Sequence, residues 1–172
     1  MGEATDVRIA PIMGLDGPEL IRANLDSRAL HAPWVEPFTD AAGFEAWFVP
    51  RQNERCVSLV ARHVPSGGVV GVFNISEIVR GSFQSAYLGY YGMAALARRG
   101  LMTQALRLVV RHVFDEIGLH RLEANIQPDN LASIALVRRV GFKLEGFSPR
   151  YLRIGGVWRD HERWAVLADG AD

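Results

Sequence analysis

The stretch ALARRGLMTQAL, Ala95 to Leu106, opens an amphipathic helix against the rules that govern helix starts. Ser, Thr, Asp or Asn normally caps that end, and acidic residues favour its first turn, because the free N–H groups and the dipole make it positive. Here Arg98, Arg99 and Gly100 stand in those places, while Met102, Leu106, Val109, Val110, Val113, Phe114 and Ile117 mark one apolar face as far as Gly118. A strand followed by such a helix is a natural anion site. Phosphate would satisfy the orphan donors, turn the two arginines into partners and use Gly100 for close approach. The alternative is an exposed basic turn, at a cost of only ~0.3–1 kcal/mol per misplaced charge.

The flanking pattern supplies a sheet for this helix to lie on. DVRIAPI alternates like a first strand, and DGPELIRANLDSRAL reads as a helix with Asp16 as its cap and Pro18 in its first turn. HAPWVEPFT is a proline-broken loop, and DAAGFEAWFV a second helix ending near Pro50. RCVSLVARHV and VVGVFNISEIVR form a hairpin around PSGG, and SFQSAYLGYYG extends it into an antiparallel meander. After the long helix come the strand HRLEANI, the PDN turn, a short helix through LASIALVRRV and a strand pair around Gly155-Gly156. The order predicts an α/β fold, a mixed sheet with helices on its faces. At 172 residues, with no repeat or dividing linker, the chain is expected to be one domain over 1–172.

Composition removes several function classes. A formal net charge of zero argues against a protein that coats nucleic acid, and no direct nucleic-acid binding is expected. The lone cysteine, Cys56, excludes an internal disulfide and a Cys-based zinc cluster and is expected as a buried filler. The histidines show no metal-ligand spacing, so no metal is inferred. Lys143 is the sole lysine, which leaves no Gly-Lys-Ser/Thr for a P-loop, and no Gly-x-Gly-x-x-Gly follows a strand. No run is long and apolar enough to span a membrane, and MGEATDVR lacks a signal-peptide pattern, so no membrane association and a cytoplasmic setting are expected.

The ordered string YLGYYG…RRGLMTQAL…LHRLEANIQPDNLASIALVRRVGFKLEGF resembles the GCN5-related N-acetyltransferases (GNAT), and within them the RimJ/RimL type that acetylates N-termini of ribosomal proteins. The likeness runs over roughly residues 55 to 167, through GVFNISEIVRGSFQSAYLGYY and YLRIGGVWRDHERWAVL, with an echo from HAPW onwards. It implies the GNAT fold: a mostly antiparallel sheet of about seven strands, about four helices, and two splayed strands forming a cleft for acetyl-CoA. The resemblance places Tyr90, Tyr91 and Gly92 at the end of the splayed strand. It puts the pyrophosphate on the loop Ala97, Arg98, Arg99, Gly100, Leu101, Met102 and on to Thr103. Two positions depart from the family loop, Ala97 for Arg/Gln and Arg98 for the first Gly. The side chain at Arg98 is expected to keep its backbone out of the positive-φ region.

Asn130 matches the asparagine that contacts the cofactor arm, and it also reads as a helix cap before an apolar run. Asn125 is expected on the adjoining strand near the acetyl group. The tyrosine that many members use as the acid would fall at Val137, so that role does not transfer. RimL-type members place a serine where Ser133 stands, which makes Ser133 the candidate proton donor to the leaving thiolate. The glutamate linked to general-base work in that type falls at Leu152. Tyr151 is the candidate beside it, with Asp160 and His161 as further options that strand alternation can turn away. For the acceptor, His31 and Trp34 are expected in the roof of the groove and Arg80 and Phe83 in its other wall.

Direct attack of an amine on a thioester needs no protein nucleophile, and an α-amine with pKa ~8 is already partly neutral near pH 7. The resemblance therefore implies transfer of acetyl from acetyl-CoA to a primary amine, foremost the N-terminus of a protein, such as a ribosomal protein. A small amine (aminoglycoside, polyamine or amino acid) and a non-catalytic CoA-binding or ribosome-assembly role are the alternatives. A homodimer is compatible with all three, as is a longer acyl donor such as succinyl-CoA.

Overall fold

The computed structural model describes residues 5–168, so the first four residues of MGEATDVR lie outside it. Seven strands form one sheet in the order β1-β2-β3-β4-β5-β7-β6: β1 Val7–Pro11, β2 Val57–His63, β3 Val69–Val79, β4 Ser85–Gly92, β5 Arg121–Ile126, β6 Lys143–Ile154 and β7 Val157–Leu167. Every neighbouring pair is antiparallel except β4–β5. That parallel pair is joined by the long helix, because parallel neighbours require a crossover.

Five helices cover the sheet: α1 Gly17–Asp26, α2 Arg28–His31, α3 Ala41–Phe48, α4 Leu101–Asp115 and α5 Leu131–Val140. On one face, Leu101, Ala105, Leu106, Val109 and Val113 of α4 and Ile134 and Val137 of α5 bury against Leu59, Ala61, Phe73, Leu88 and Leu122. On the other, Leu20 of α1 and Phe44 of α3 bury against Val60, Val72, Tyr91 and Met93. Strand alternation sorts the two tyrosines: Tyr90 packs with the α4/α5 core and Tyr91 with the α1/α3 core.

Several details differ from the expectations above, each for a physical reason. The first helix is split at Ser27, so there are five helices rather than four. Ser27 is buried, and its Oγ accepts from the Ala94 N–H at 2.9 Å, tying this corner to the end of β4 instead of continuing the helix. Asp16 stands at the cap position of α1 without capping it. Its carboxylate accepts from Met13 N–H at 2.7 Å and pairs with Arg62 at 2.9 Å. Asp40 does cap α3, accepting from Gly43 N–H at 2.7 Å. The stretch from Ala95 is not yet α4. Ala94–Leu96 is a 3₁₀ turn, and α4 begins at Leu101. Cys56 is only half-buried, just before β2.

His31, the last residue of α2, anchors that helix to the sheet. Its Nε2–H donates to the Gly92 carbonyl at 2.8 Å, and its ring stands edge-on to Tyr91 with centroids 5.1 Å apart. Burial holds its pKa below the ordinary 6.5, although the bond to Gly92 pulls the other way. The folded protein thus keeps His31 neutral where the unfolded chain takes up a proton. Its contribution is complete above pH 6.5 and is lost as the pH falls from there through the lowered folded value. The melting temperature should accordingly drop more steeply between pH 7 and pH 5 in the wild type than in His31→Gln; parallel pH slopes would show that His31 carries no such linkage.

Candidate functional site

The two central strands part halfway along their length. β4 and β5 pair only at Ser85↔Arg121, Ala86↔Leu122 and Tyr87↔Glu123. Beyond Tyr87, β4 stays in register with β3 as far as Gly71↔Gly92, and β5 with β7 as far as Ile126↔Glu162. Each strand keeps its outer partner, so the backbone edges that face one another from Leu88 and Ala124 onward are left unpaired. Gly89 lies on this edge with open space where a side chain would stand.

The mouth of the opening is the start of α4. Gly100 occupies the cap position with φ +75°, a left-handed conformation that glycine adopts without penalty, and no side chain caps the helix. Thr103 and Gln104 N–H bond back to Gly100 O, which leaves the amides of Leu101 and Met102 without a protein acceptor among the described residues. Met102 packs down onto the sheet: a side chain at Gly71 would meet its Sδ and the Tyr91 carbonyl, both at 2.7 Å. Arg98 overturns the expectation made for it, since its φ is +60°. The turn ending at Ala97 and the helix beginning at Leu101 fix both ends of a short connection, and left-handed residues at Arg98 and Gly100 close it. The loop keeps the conformation a glycine would take, at a cost of ~1–2 kcal/mol.

Two cavities open from this cleft. The larger, about 520 Å³, runs from the α4 mouth past Gly92 to α5 and is lined by Tyr90, Tyr91, Gly92, Arg98, Gly100, Leu101, Met102 and Thr103 among others. His31 and Trp34 also line it. Arg99 is exposed and is not part of its wall. Tyr91 reaches it while its ring belongs to the core under α1. Besides Ser133, the wall supplied by α5 comprises Ala132, Ala135, Leu136 and Arg139. That is an i, i+3, i+4, i+7 stripe, in which two small residues leave room and one arginine brings a second cation to the mouth. The spacing of this stripe is legible in LASIALVRRV, but only the packing of α5 shows that it faces a cavity.

The second cavity, about 480 Å³, lies at the far end of the split and holds Ser76, Glu77, Tyr87, Asn125, Tyr151, Leu152 and His161. Two β-bulges shape its rim, one in β3 between Ser76 and Val79 and one in β6 between Ser148 and Leu152. Each contains a non-glycine residue in the left-handed region, Glu77 at φ +50° and Arg150 at φ +47°. Bulges re-aim side chains, and these two point Glu77 and Tyr151 to the same space. Asp160 is exposed, its carboxylate accepting from Arg150 N–H at 2.7 Å to hold the β6 bulge. Burial and the adjacent Tyr151 hydroxyl raise the Tyr87 phenol above its ordinary pKa, the hydroxyl contributing most. Asn125 Oδ1 is buried with no partner among the described residues, an acceptor aimed at nothing within the protein.

The cavities meet where Trp34, Val35, Tyr90, Asn130 and Ser133 line both. Here Tyr90 Oη and Ser133 Oγ share a hydrogen bond of 2.5 Å. Burial pushes the Tyr90 phenol up to about 12, so it stays protonated at neutral pH, with the Ser133 bond opposing. Asn130 caps α5, its Oδ1 accepting from Ser133 N–H at 3.2 Å, and this fixes the serine at the helix mouth. Val137, where the family's usual acid would stand, is fully buried in the core. Arg80 and Phe83 are not brought to either wall. They lie in the β3–β4 connection at the closed end of the strand pair, where Arg80 Nη1 donates to the Ile117 carbonyl at 2.7 Å and Phe83 is exposed.

Comparison with known proteins agrees with this architecture. The Mycobacterium smegmatis RimJ structure in complex with CoA-disulfide superposes with a TM-score of 0.86 at 29% identity, over 96% of this chain and 83% of that one. The [ribosomal protein uS5]-alanine N-acetyltransferase of Escherichia coli is 43% identical over 93 residues, 54% of this chain and 48% of the relative. An L-methionine sulfoximine/L-methionine sulfone acetyltransferase of Pseudomonas aeruginosa is 31% identical over 134 residues, 75% of each chain. The chain spans about half the length of curated relatives such as the Escherichia coli enzyme. The acetyltransferase (GNAT) domain model matches residues 7–143, and the chain belongs to that family.

Proposed function

We propose that this chain is a single acetyltransferase domain that moves the acetyl group of acetyl-CoA to the α-amine of a protein N-terminus, by direct attack of the amine on the thioester. The observation that carries this reading is the junction of the two cavities at the Tyr90–Ser133 pair. One cavity suits acetyl-CoA on three counts. The free amides of Leu101 and Met102 and the cations Arg98 and Arg139 answer to phosphates, and the open edge of β4 from Leu88 to Gly92 answers to an amide-bearing arm. The other cavity, with Trp34 and Val35 above and Tyr151 and Leu152 beside it, takes the acceptor. A ribosomal protein is the proposed acceptor, in keeping with the substrate class that names the Escherichia coli relative, and the cytoplasm the proposed setting.

Within this reading each residue at the junction has a chemical task. Asn130 holds Ser133 in place, and Ser133 Oγ protonates the departing thiolate, with Tyr90 refilling the serine through their shared hydrogen bond. Tyr151 and Asn125 position the acceptor. A second reading, transfer to a small amine, draws on the likeness to the Pseudomonas aeruginosa enzyme.

Incubating a peptide library and a panel of small amines with acetyl-CoA, followed by mass spectrometry, should show acetylated α-amines on peptides. Acetylation confined to the small amines would overturn the peptide reading in favour of the second one. At the junction, Ser133→Ala should lower kcat by about 10²-fold or more while leaving CoA affinity within about threefold. Tyr90→Phe should give a smaller loss of the same kind. Unchanged kcat in Ser133→Ala would remove the serine from the mechanism.

A further inference from the structure

Five titratable side chains line the acceptor cavity: Glu77 from β3, Tyr87 and Tyr90 from β4, Tyr151 from β6 and His161 from β7. An acceptor amine arrives largely as ammonium at neutral pH and must lose a proton before it can attack. Glu77 is committed to an ion pair with Arg55 at the exposed rim. Tyr87 and Tyr90 are both held in the protonated form, Tyr87 chiefly by the Tyr151 hydroxyl and Tyr90 by burial. Neither phenol has a lone pair of useful basicity at neutral pH.

His161 differs from all of these in how its ring is fixed. Only 3% of the residue is exposed, and Nδ1 lies 2.9 Å from the backbone carbonyl of Arg159. A carbonyl can only accept, so Nδ1 carries the ring proton, and the neutral imidazole then presents a bare lone pair at Nε2. Nε2 has no protein partner among the described residues, and it is not among the buried polar atoms sealed away from solvent. The exposed remnant of this buried ring therefore includes Nε2, in a residue that lines the acceptor cavity. Alternation along β7 makes the arrangement specific, because Asp160 faces solvent and Glu162 accepts from Trp164 Nε1 at 2.9 Å. On the neighbouring strand the Tyr151 ring stands 6.3 Å from the His161 ring, centroid to centroid.

We propose that His161 is the general base of the acceptor cavity, with Nε2 taking the proton from the acceptor ammonium and the Arg159 carbonyl holding the tautomer that makes this possible. The neutral amine then attacks the thioester carbonyl carbon. The N–C bond forms, the carbonyl electrons move to oxygen and return as the C–S bond breaks, and the nitrogen sheds its extra proton. The sulfur takes a proton from the Ser133–Tyr90 pair, which is reloaded with the proton the nitrogen shed. The proton on His161 passes to solvent. The net change is one amide, one thiol and one released proton. This rests on the acetyltransferase reading but on no particular acceptor.

The test is His161→Asn, whose amide can still donate to the Arg159 carbonyl while the base is gone. On an α-amine acceptor, kcat/KM at pH 7 should fall about 10-fold, and further on an amine of higher pKa, with CoA affinity unchanged. The deficit should shrink as the pH rises past ~8, where the amine is already neutral without help. Added imidazole should restore part of the rate to His161→Ala. A deficit of the same size at every pH, or a wild-type rate in His161→Asn, would overturn the proposal and leave the ring a packing element. Nitrogen NMR of the wild-type imidazole should show the Nδ1–H tautomer; an Nε2–H tautomer would overturn it without reference to turnover. A wild type that acetylates small amines but no peptide defeats the peptide reading alone, and His161 is then judged on the small amine by the same comparison.

Discussion

The parting of β4 from β5 after Tyr87 and Glu123 is the constraint on which the rest of the molecule turns. Leaving strand edges unpaired inside a protein is costly, about 1–3 kcal/mol for each polar group that finds neither protein nor water. The sheet tolerates it because each strand keeps its other neighbour, β3 beside β4 and β7 beside β5. One group is satisfied from outside the sheet, where His31 donates to the Gly92 carbonyl at 2.8 Å. The remaining edge is long enough to hold an extended molecule. It ends at the uncapped amides of α4, so backbone donors and helix dipole converge on one end of the slot.

Strain gathers around the same opening. Arg98, Glu77 and Arg150 all adopt positive φ without being glycine, and all three lie in segments that shape a cavity wall. Each costs ~1–2 kcal/mol and persists because fixed elements on both sides demand it. At Arg98 the conformation serves the loop and the side chain adds a cation at the mouth, so the departure from glycine retains the shape and supplies charge. At Glu77 and Arg150 the bulges shape the rim of the second cavity, where both residues stay exposed. Irregular backbone thus shapes part of each cavity, the two bulges at one and the Arg98–Gly100 connection at the other.

That division explains what could be read in the sequence. Strand and helix order, the meander, the Gly155-Gly156 hairpin and the uncapped helix start after Gly100 follow from periodicity and turn chemistry. They survive because long apolar faces such as that of α4 leave little choice. The break at Ser27 was invisible, because its cause is a hydrogen bond to Ala94, distant in the chain. The Tyr90–Ser133 bond was equally hidden, since it joins residues 43 apart that only the α5 cap at Asn130 brings together. Arg98 departs from its local steric preference because the fixed elements on both sides override it. The placing of Arg80 and Phe83 beside the acceptor came from likeness alone, and the closed end of the strand pair keeps them away. His161 was one of several options until its Nδ1 partner fixed the tautomer.

In the proposed reaction one slot, from the α4 amides along the β4 edge, delivers a thioester to the Tyr90–Ser133 junction. A crystal structure of the CoA complex tests it directly. The pyrophosphate should lie on the Leu101 and Met102 amides, the arm should pair with β4 between Leu88 and Gly92, and the sulfur should come within hydrogen-bond reach of Ser133 Oγ. Cofactor bound with its sulfur away from Ser133, or its phosphates away from the start of α4, would contradict it.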